Sequence, residues 1–488
     1  MPDRQNPNQW KTLDTDLHRI SRVEHAATYV ARPMVVFGVA LVFIFLAAGG
    51  AALFTGHAPS DYAVIAAAAF GAYMAMNIGA NDVANNMGPA VGSKALSMGL
   101  AIVIAAVCES AGALLAGGDV VSTISKDIID PESLADTQLF IWAMLAALIS
   151  SALWVNLATW VGAPVSTTHS VVGGVMGAGI ASAGFAAVNW GAMGLIAASW
   201  VISPVLGGLI AMSFLALIKS RILYQEDKIA ASRRWVPVLL GIMGGVFATY
   251  LAMKGLQKVM PIDIGTAIVI GIVTGGAIWL LTYPIIKRVS AGMENRNRSV
   301  KTLFSLPLVF SAALLSFAHG ANDVANAVGP LAAIVSASQT ADVSTSVSIP
   351  IWVMIIGAFG ISFGLFLFGP KLIRLVGNQI TKLNPMRAYC VALSAAITVI
   401  IASALGLPVS STHIAIGGIF GVGFYREWHI ARQMRLRGSG VMAKEERRRR
   451  KLVRRSHFMT IIAAWTITVP AAALLSGVIF MLLNAVFS

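Results

Sequence analysis

The sequence predicts an all-α integral membrane protein of about 12–13 transmembrane helices, arranged as inverted-topology repeats with broken or re-entrant helices at its motifs. Three observations predict it. First, 57% of the 488 residues are hydrophobic and 11% are charged, the mean hydropathy is +0.78, and long uncharged runs recur at the length a helix needs to cross a bilayer. Second, the phrase Gly79-Ala-Asn-Asp-Val-Ala-Asn-Asn-Met-Gly-Pro89 returns as Gly320-Ala-Asn-Asp-Val-Ala-Asn-Ala-Val-Gly-Pro330, 241 residues later. Third, Pro164-Val-Ser-Thr-Thr-His169 returns as Pro408-Val-Ser-Ser-Thr-His413, 244 residues later. Two unrelated phrases recurring at nearly one offset mark a duplicated unit. Polar interruptions at matching places in two membrane-embedded halves point to a transporter binding site.

Taken in order, the apolar segments are 34–55, 62–80, 95–116, 138–161, 165–185, 190–218, 236–254, 261–286, 303–320, 350–369, 386–406, 407–425 and 459–486. The stretch before the first carries Asp3, Asp14, Asp16 and Glu24 and no apolar core, so it does not read as a cleavable signal peptide. Residues 1–61 therefore read as an N-terminal segment plus an extra span. The first repeat covers 62–218, a loop and connecting helices cover 219–302, and the second repeat covers 303–488 with a basic loop at 426–457. Forty-six glycines suit close helix packing in lipid. Cys108 and Cys390 fall inside spans, which indicates neither a disulfide framework nor a thiolate metal site.

Charge placement sets the expected orientation. The net charge is +14, yet the cations sit in a few short segments between apolar runs, a pattern of membrane topology rather than of nucleic-acid binding. With the N-terminus in the cytoplasm, 32 of the 35 Lys and Arg face inward and only Lys126, Lys254 and Lys258 face outward. The inverse arrangement reverses those numbers, so the positive-inside rule favours a cytoplasmic N-terminus in a plasma or bacterial inner membrane. The arginine-rich 426–455 stretch reads as a cytoplasmic loop near anionic lipid. The two copies of the first phrase then end spans running in opposite directions, which makes the repeats antiparallel.

Within each first phrase, Asn81 and Asn85, like Asn322 and Asn326, lie at i and i+4 on one helix face. Asp82 and Asp323 sit beside them, and Gly88-Pro89 and Gly329-Pro330 follow, where a helix is expected to bend or stop. A carboxylate at bilayer depth costs roughly 2.5–3.5 kcal/mol on insertion scales. A coupling Na⁺ or proton would offset that cost, since oxygen ligands suit a hard cation and protonation neutralises the acid. Asn and Asp could instead merely cap broken helices. In the second phrases, Ser166, Thr167 and Thr168, and Ser410, Ser411 and Thr412, fall at new helix starts. There, free N–H groups, the positive dipole end and the hydroxyls form a cradle for a small oxyanion, although Ser and Thr also satisfy ordinary kinked helices. His169 and His413 read better as hydrogen-bonded packing residues than as proton carriers. His319 is matched by Ile78, so it has no symmetric role. Glu109 is an intramembrane acid whose counterpart lies near Phe363 or Gly364. It is a functional candidate by default, or a partner of Ser110 or of a broken helix end.

With these phrases in both halves, the chain resembles the inorganic phosphate transporter (PiT or Pho4) family over roughly residues 62–486. The resemblance implies a secondary transporter carrying inorganic phosphate with Na⁺ or H⁺ by alternating access, with no cofactor beyond the coupling ion. Carried over by position, Asn81, Asp82, Asn322 and Asp323 belong to the coupling-cation or proton site, with Na⁺ at Asp82 and Asp323, and Glu109 is a further candidate. Asn85 and Asn326 join Ser166, Thr167, Thr168, Ser410, Ser411 and Thr412 around the anion. The expected partners are phosphate, the coupling ion and the lipid bilayer, not nucleic acid, and a homo-oligomer stays open. Three alternatives remain: a sulfate or related oxyanion permease of the same fold, a passive channel, and an intramembrane hydrolase. The last lacks both a Gly-x-Ser-x-Gly elbow and a His-Glu-x-x-His pair.

Overall fold

The computed structural model describes residues 34–55, 59–129, 136–161, 165–258, 260–340, 349–375, 383–436 and 455–487. Pro164 and the 437–454 part of the basic loop lie outside them. The described chain is helical, and its one β-pairing is an isolated bridge between Ile129 and Val188. Helix α1 covers Met34–Ala52. It is followed by α2 (Pro59–Asn81), α3 (Val83–Gly92), α4 (Met98–Ala116), α5 (Gly118–Ser122), α6 (Thr137–Val161), α7 (Thr167–Ala183), α8 (Trp190–Ile218), α9 (Lys228–Lys254) and α10 (Ile264–Val289). The remainder comprises α11 (Asn297–Leu303), α12 (Ser305–Thr340), α13 (Ile351–Leu375), α14 (Pro385–Ala404), α15 (Ser411–Leu436) and α16 (Arg455–Phe487).

Many helix starts are capped by their own side chains. Ser97, Asn189, Asp227, Asp263 and Asn384 each accept a backbone N–H of the following turn, which satisfies amides a helix start leaves bare. Eleven described helical runs are long and apolar enough to cross a membrane. Two expected spans are not among them: α7 has only 17 residues, and α15 carries Arg426, Glu427 and Arg432 in its second half. A second difference concerns the prolines. Pro89 and Pro330 lie inside α3 and α12 rather than ending them. Only Asp82 interrupts the first run, and α12 passes unbroken through the second phrase. Neighbouring helices and side chains can satisfy the carbonyl a proline frees, so a membrane helix tolerates what a soluble one does not.

The packing is reciprocal between the halves. Helix α13 lies along α2 and α4 lies along α12, while α16 lies along α7 and α8 along α15. The contacts are backbone to backbone at glycines. A Cβ on Gly79 would overlap the Ile361 carbonyl and one on Gly364 the Met76 carbonyl, while Gly112 meets Phe317 and Gly320 meets Glu109 in the same way. This register pairs Gly112 with Gly364. It therefore matches Glu109 to Ile361, not to Phe363 or Gly364. Ser110 and Ser362, matched at the same spacing, bond to each other at 2.7 Å. Helices α9 and α10 pack chiefly on one another, and α10 turns Ile268, Ile272, Leu280 and Leu281 outward, as a lipid-facing hairpin would.

Candidate functional site

Where the halves meet, the repeated phrases converge. Asp82 sits in the interruption between α2 and α3 and is 1% exposed. Its Oδ2 accepts the Thr167 hydroxyl at 3.0 Å and its Oδ1 accepts the Thr412 hydroxyl at 3.0 Å. One donor begins α7 and the other lies in the first turn of α15, so a single carboxylate joins both second phrases. Asn85 Nδ2 donates to Thr412 at 2.9 Å, and Asn326 Nδ2 donates to Thr168 at 3.1 Å. Each asparagine thus reaches the opposite half. Asp323 Oδ2 accepts the Ser411 hydroxyl at 3.3 Å, the match of Thr167 on Asp82.

The helix starts form as their sequences require. Ser166 caps α7, its Oγ accepting His169 N at 3.2 Å, and Ser410 Oγ accepts His413 N at 3.4 Å. The first i to i+4 bonds are Ser170 N to Ser166 O and Ile414 N to Ser410 O. The amides of Thr167, Thr168, Ser411 and Thr412 precede them, and such amides at a dipole's positive end suit an anion. Thr168 Oγ donates to Val409 O at 3.1 Å, which ties one start to the extended segment leading into the other.

Asn81 and Asn322, both expected at the cation site, hydrogen-bond the neighbouring helices. Asn81 Nδ2 donates to Thr159 at 2.9 Å and Asn322 Nδ2 to Ser403 at 3.0 Å. Both turn toward α6 and α14, and Asn322 also bonds Leu407 O and Val409 N. His169 bonds Ser166 Oγ through Nδ1 at 2.7 Å, stacks on Trp200 at 3.8 Å and meets His413 edge-on at 4.9 Å, as the packing reading expects.

Glu109 bonds neither Ser110 nor a helix end. Its Oε1 accepts Asn86 Nδ2 at 3.1 Å and faces His319 Nδ1 at 3.1 Å. His319 Nε2 lies 2.9 Å from Asp323 Oδ2, so the ring stands between two carboxylates. Asn86 and His319 were not expected in the site. Intramembrane polarity was their only signal, because their partner is remote in sequence. One ligand atom each of Asp82, His319 and Asp323 lies within 4.8 Å of the others.

Known proteins resemble this chain over most of its length. A model of the phosphate transporter family matches residues 78–476. A Helicobacter pylori protein named "Putative phosphate permease" is 44% identical over 96% of this chain and 99% of its own length. One of the same description from Pyrococcus abyssi is 36% identical over 85% of this chain and 96% of its own. A solved structure described as "The sodium-dependent phosphate transporter" is 33% identical, covers 87% of this chain and 100% of its own, and superposes with a TM-score of 0.78.

Proposed function

The chain belongs to the phosphate transporter family, and on that premise we propose that it takes up inorganic phosphate by symport with Na⁺ or H⁺ through alternating access. The observation that carries the proposal is Asp82, whose two oxygens take hydroxyls from the starts of α7 and α15. A coupling cation or proton arriving at Asp82 and Asp323 neutralises charge that is costly at this depth. A bound cation also presents positive charge to an anion held by the amides and hydroxyls of Ser166–Thr168 and Ser410–Thr412, beside Asn85 and Asn326. Phosphate near neutral pH keeps a proton and can donate to a carboxylate; sulfate cannot. Reciprocal packing supports an inverted-repeat arrangement, in which one repeat rocks against the other once the carboxylates are neutral. The positive-inside distribution supports a cytoplasmic N-terminus in a cell membrane.

The test is uptake of radiolabelled phosphate by the purified protein in proteoliposomes, under separately imposed Na⁺ and pH gradients, with sulfate as competitor. Uptake should follow one gradient and ignore sulfate. Uptake without coupling would make the protein a channel, and displacement by sulfate would make it a wider oxyanion permease.

A further inference from the structure

At one end of the bundle, away from the repeated phrases, three cations gather. Lys219 follows the last turn of α8, Arg387 lies in the first turn of α14 and Arg426 lies midway along α15. Helices α8, α14 and α15 pack on one another, and each of the three charges is within Coulombic reach of the other two. All three side chains are half-buried. Ser411 and Arg426 share one continuous helix, so at 1.5 Å per residue the cluster stands roughly 22 Å from the hydroxyls at the start of α15.

No carboxylate neutralises these charges. Among the described residues the ion pairs lie elsewhere: Lys254 with Asp119, Arg296 with Glu294, and His319 with Glu109 and Asp323. Glu427 is next to Arg426 in sequence but pairs with none of the three, and Asp227 caps α9. Partly burying a cation without a counter-ion is unfavourable, and like charges at close quarters repel. Arg387 has a further cost. Asn384 caps α14 and Pro385 opens it, so Arg387 stands at the positive end of that helix dipole, where an anion is favoured and a cation is not.

The surroundings hold the cations in place without cancelling them. Lys219 Nζ lies over the Tyr425 ring at 4.9 Å, and the flanking Arg221 and Arg432 lie over Trp235 and Trp428 at 5.6 and 5.4 Å. Tyr425 stacks on His429, and His429 on Tyr224. Aromatic faces steady a cation but bring no negative charge. Two guanidinium groups and an ammonium supply N–H donors in the arrangement that phosphate oxygens accept best.

We propose that Lys219, Arg387 and Arg426 form a second anion site, separate from the proposed transport site, which takes a phosphate group. Its source is free inorganic phosphate or the headgroup of an anionic phospholipid. Lys219 ends the last helix of the first repeat and both arginines belong to the second, so the bound group joins the halves at a point remote from Asp82. The site does not rest on the symport reading.

The test compares the full-length wild type with Arg387→Gln/Arg426→Gln in nanodiscs. One arm titrates inorganic phosphate into discs of phosphatidylcholine alone, read by isothermal titration calorimetry. Phosphate held at the transport site is common to both proteins, so their difference reports the cluster. The other arm omits phosphate, adds phosphatidylglycerol to the discs and counts retained lipid by native mass spectrometry. The expected result is a phosphate-binding class, or a retained phosphatidylglycerol, that the variant loses or holds at least about tenfold more weakly. A difference in the first arm assigns free phosphate, and one in the second assigns a headgroup. Melting in anion-free phosphatidylcholine discs separates binding from packing: with the repulsion relieved, the variant should be at least as stable as the wild type. Identical behaviour of the two proteins in both arms overturns the proposal. So does a variant that melts lower or fails to fold, which would give the arginines a packing role. Absence of phosphate uptake in proteoliposomes would sink the symport reading and leave both binding arms standing.

Discussion

Asp82 carries a greater share of the site than its twin. It is bonded on both oxygens by groups from the two halves, whereas Asp323 has one oxygen without a donor. Asp82→Asn should therefore abolish gradient-driven phosphate uptake while the protein still inserts and elutes as the wild type does on size exclusion; retained uptake with unchanged ion dependence would refute the assignment. Thr412 is the other shared residue, since its hydroxyl donates to Asp82 and accepts from Asn85. Thr412→Val removes the donor to the buried Asp82 Oδ1, at about 1–3 kcal/mol, and the acceptor of the half-buried Asn85. It should lower the melting temperature more than Ser411→Ala, whose hydroxyl serves Asp323 alone at 3.3 Å. The aspartates and the Ser/Thr starts were legible because each is said twice at one spacing. Asn86 and His319 were not, because each appears once; Glu109 stood out as an intramembrane acid, but its partner did not, since the contact from Glu109 to His319 spans 210 residues.

At the level of helices, the prolines misled and the glycines informed. Gly-Pro at the end of each first phrase reads as a stop, yet both prolines are absorbed into helix, because lipid leaves the backbone few alternatives to helix. The glycines repeated between the halves have the opposite lesson. Gly320 lies against the backbone of Glu109, so an added methyl cannot be accommodated by a side-chain shift. Gly320→Ala should destabilise by about 1–3 kcal/mol, the usual cost of overpacking. Gly276→Ala, where the space is open, should be near neutral. Thermal unfolding of the two variants side by side tests the contrast. The short α7 and the charged second half of α15 keep two of the expected spans out of the eleven described helical runs long and apolar enough to cross a membrane.

For the molecule as a whole, the duplication was readable but its interleaving was not. Offsets of 241 and 244 residues establish two copies, and nothing in them says that α4 packs on α12 or α13 on α2. Ser110 and Ser362 mark where α4 and α13 cross, each hydroxyl also reaching a carbonyl of the other helix, Ala358 and Ala106. If transport requires the copies to move against each other there, oxidising a Ser110→Cys/Ser362→Cys double variant should arrest phosphate uptake and reduction should restore it. Full uptake by the oxidised protein, with the disulfide verified by mass spectrometry, would place the moving interface elsewhere. The same interleaving bears on how the protein is made. Residues Asp82 and Glu109 leave the ribosome 210 to 330 residues before His319, Asp323 and Thr412, the groups that later enclose them. Until those partners are synthesised, Asp82 and Glu109 have only their first-half partners, Thr167 and Asn86, in a greasy surround. The insertion machinery or a chaperone must shelter the nascent first half, and a chain cut between the copies should mature only when both fragments are produced together.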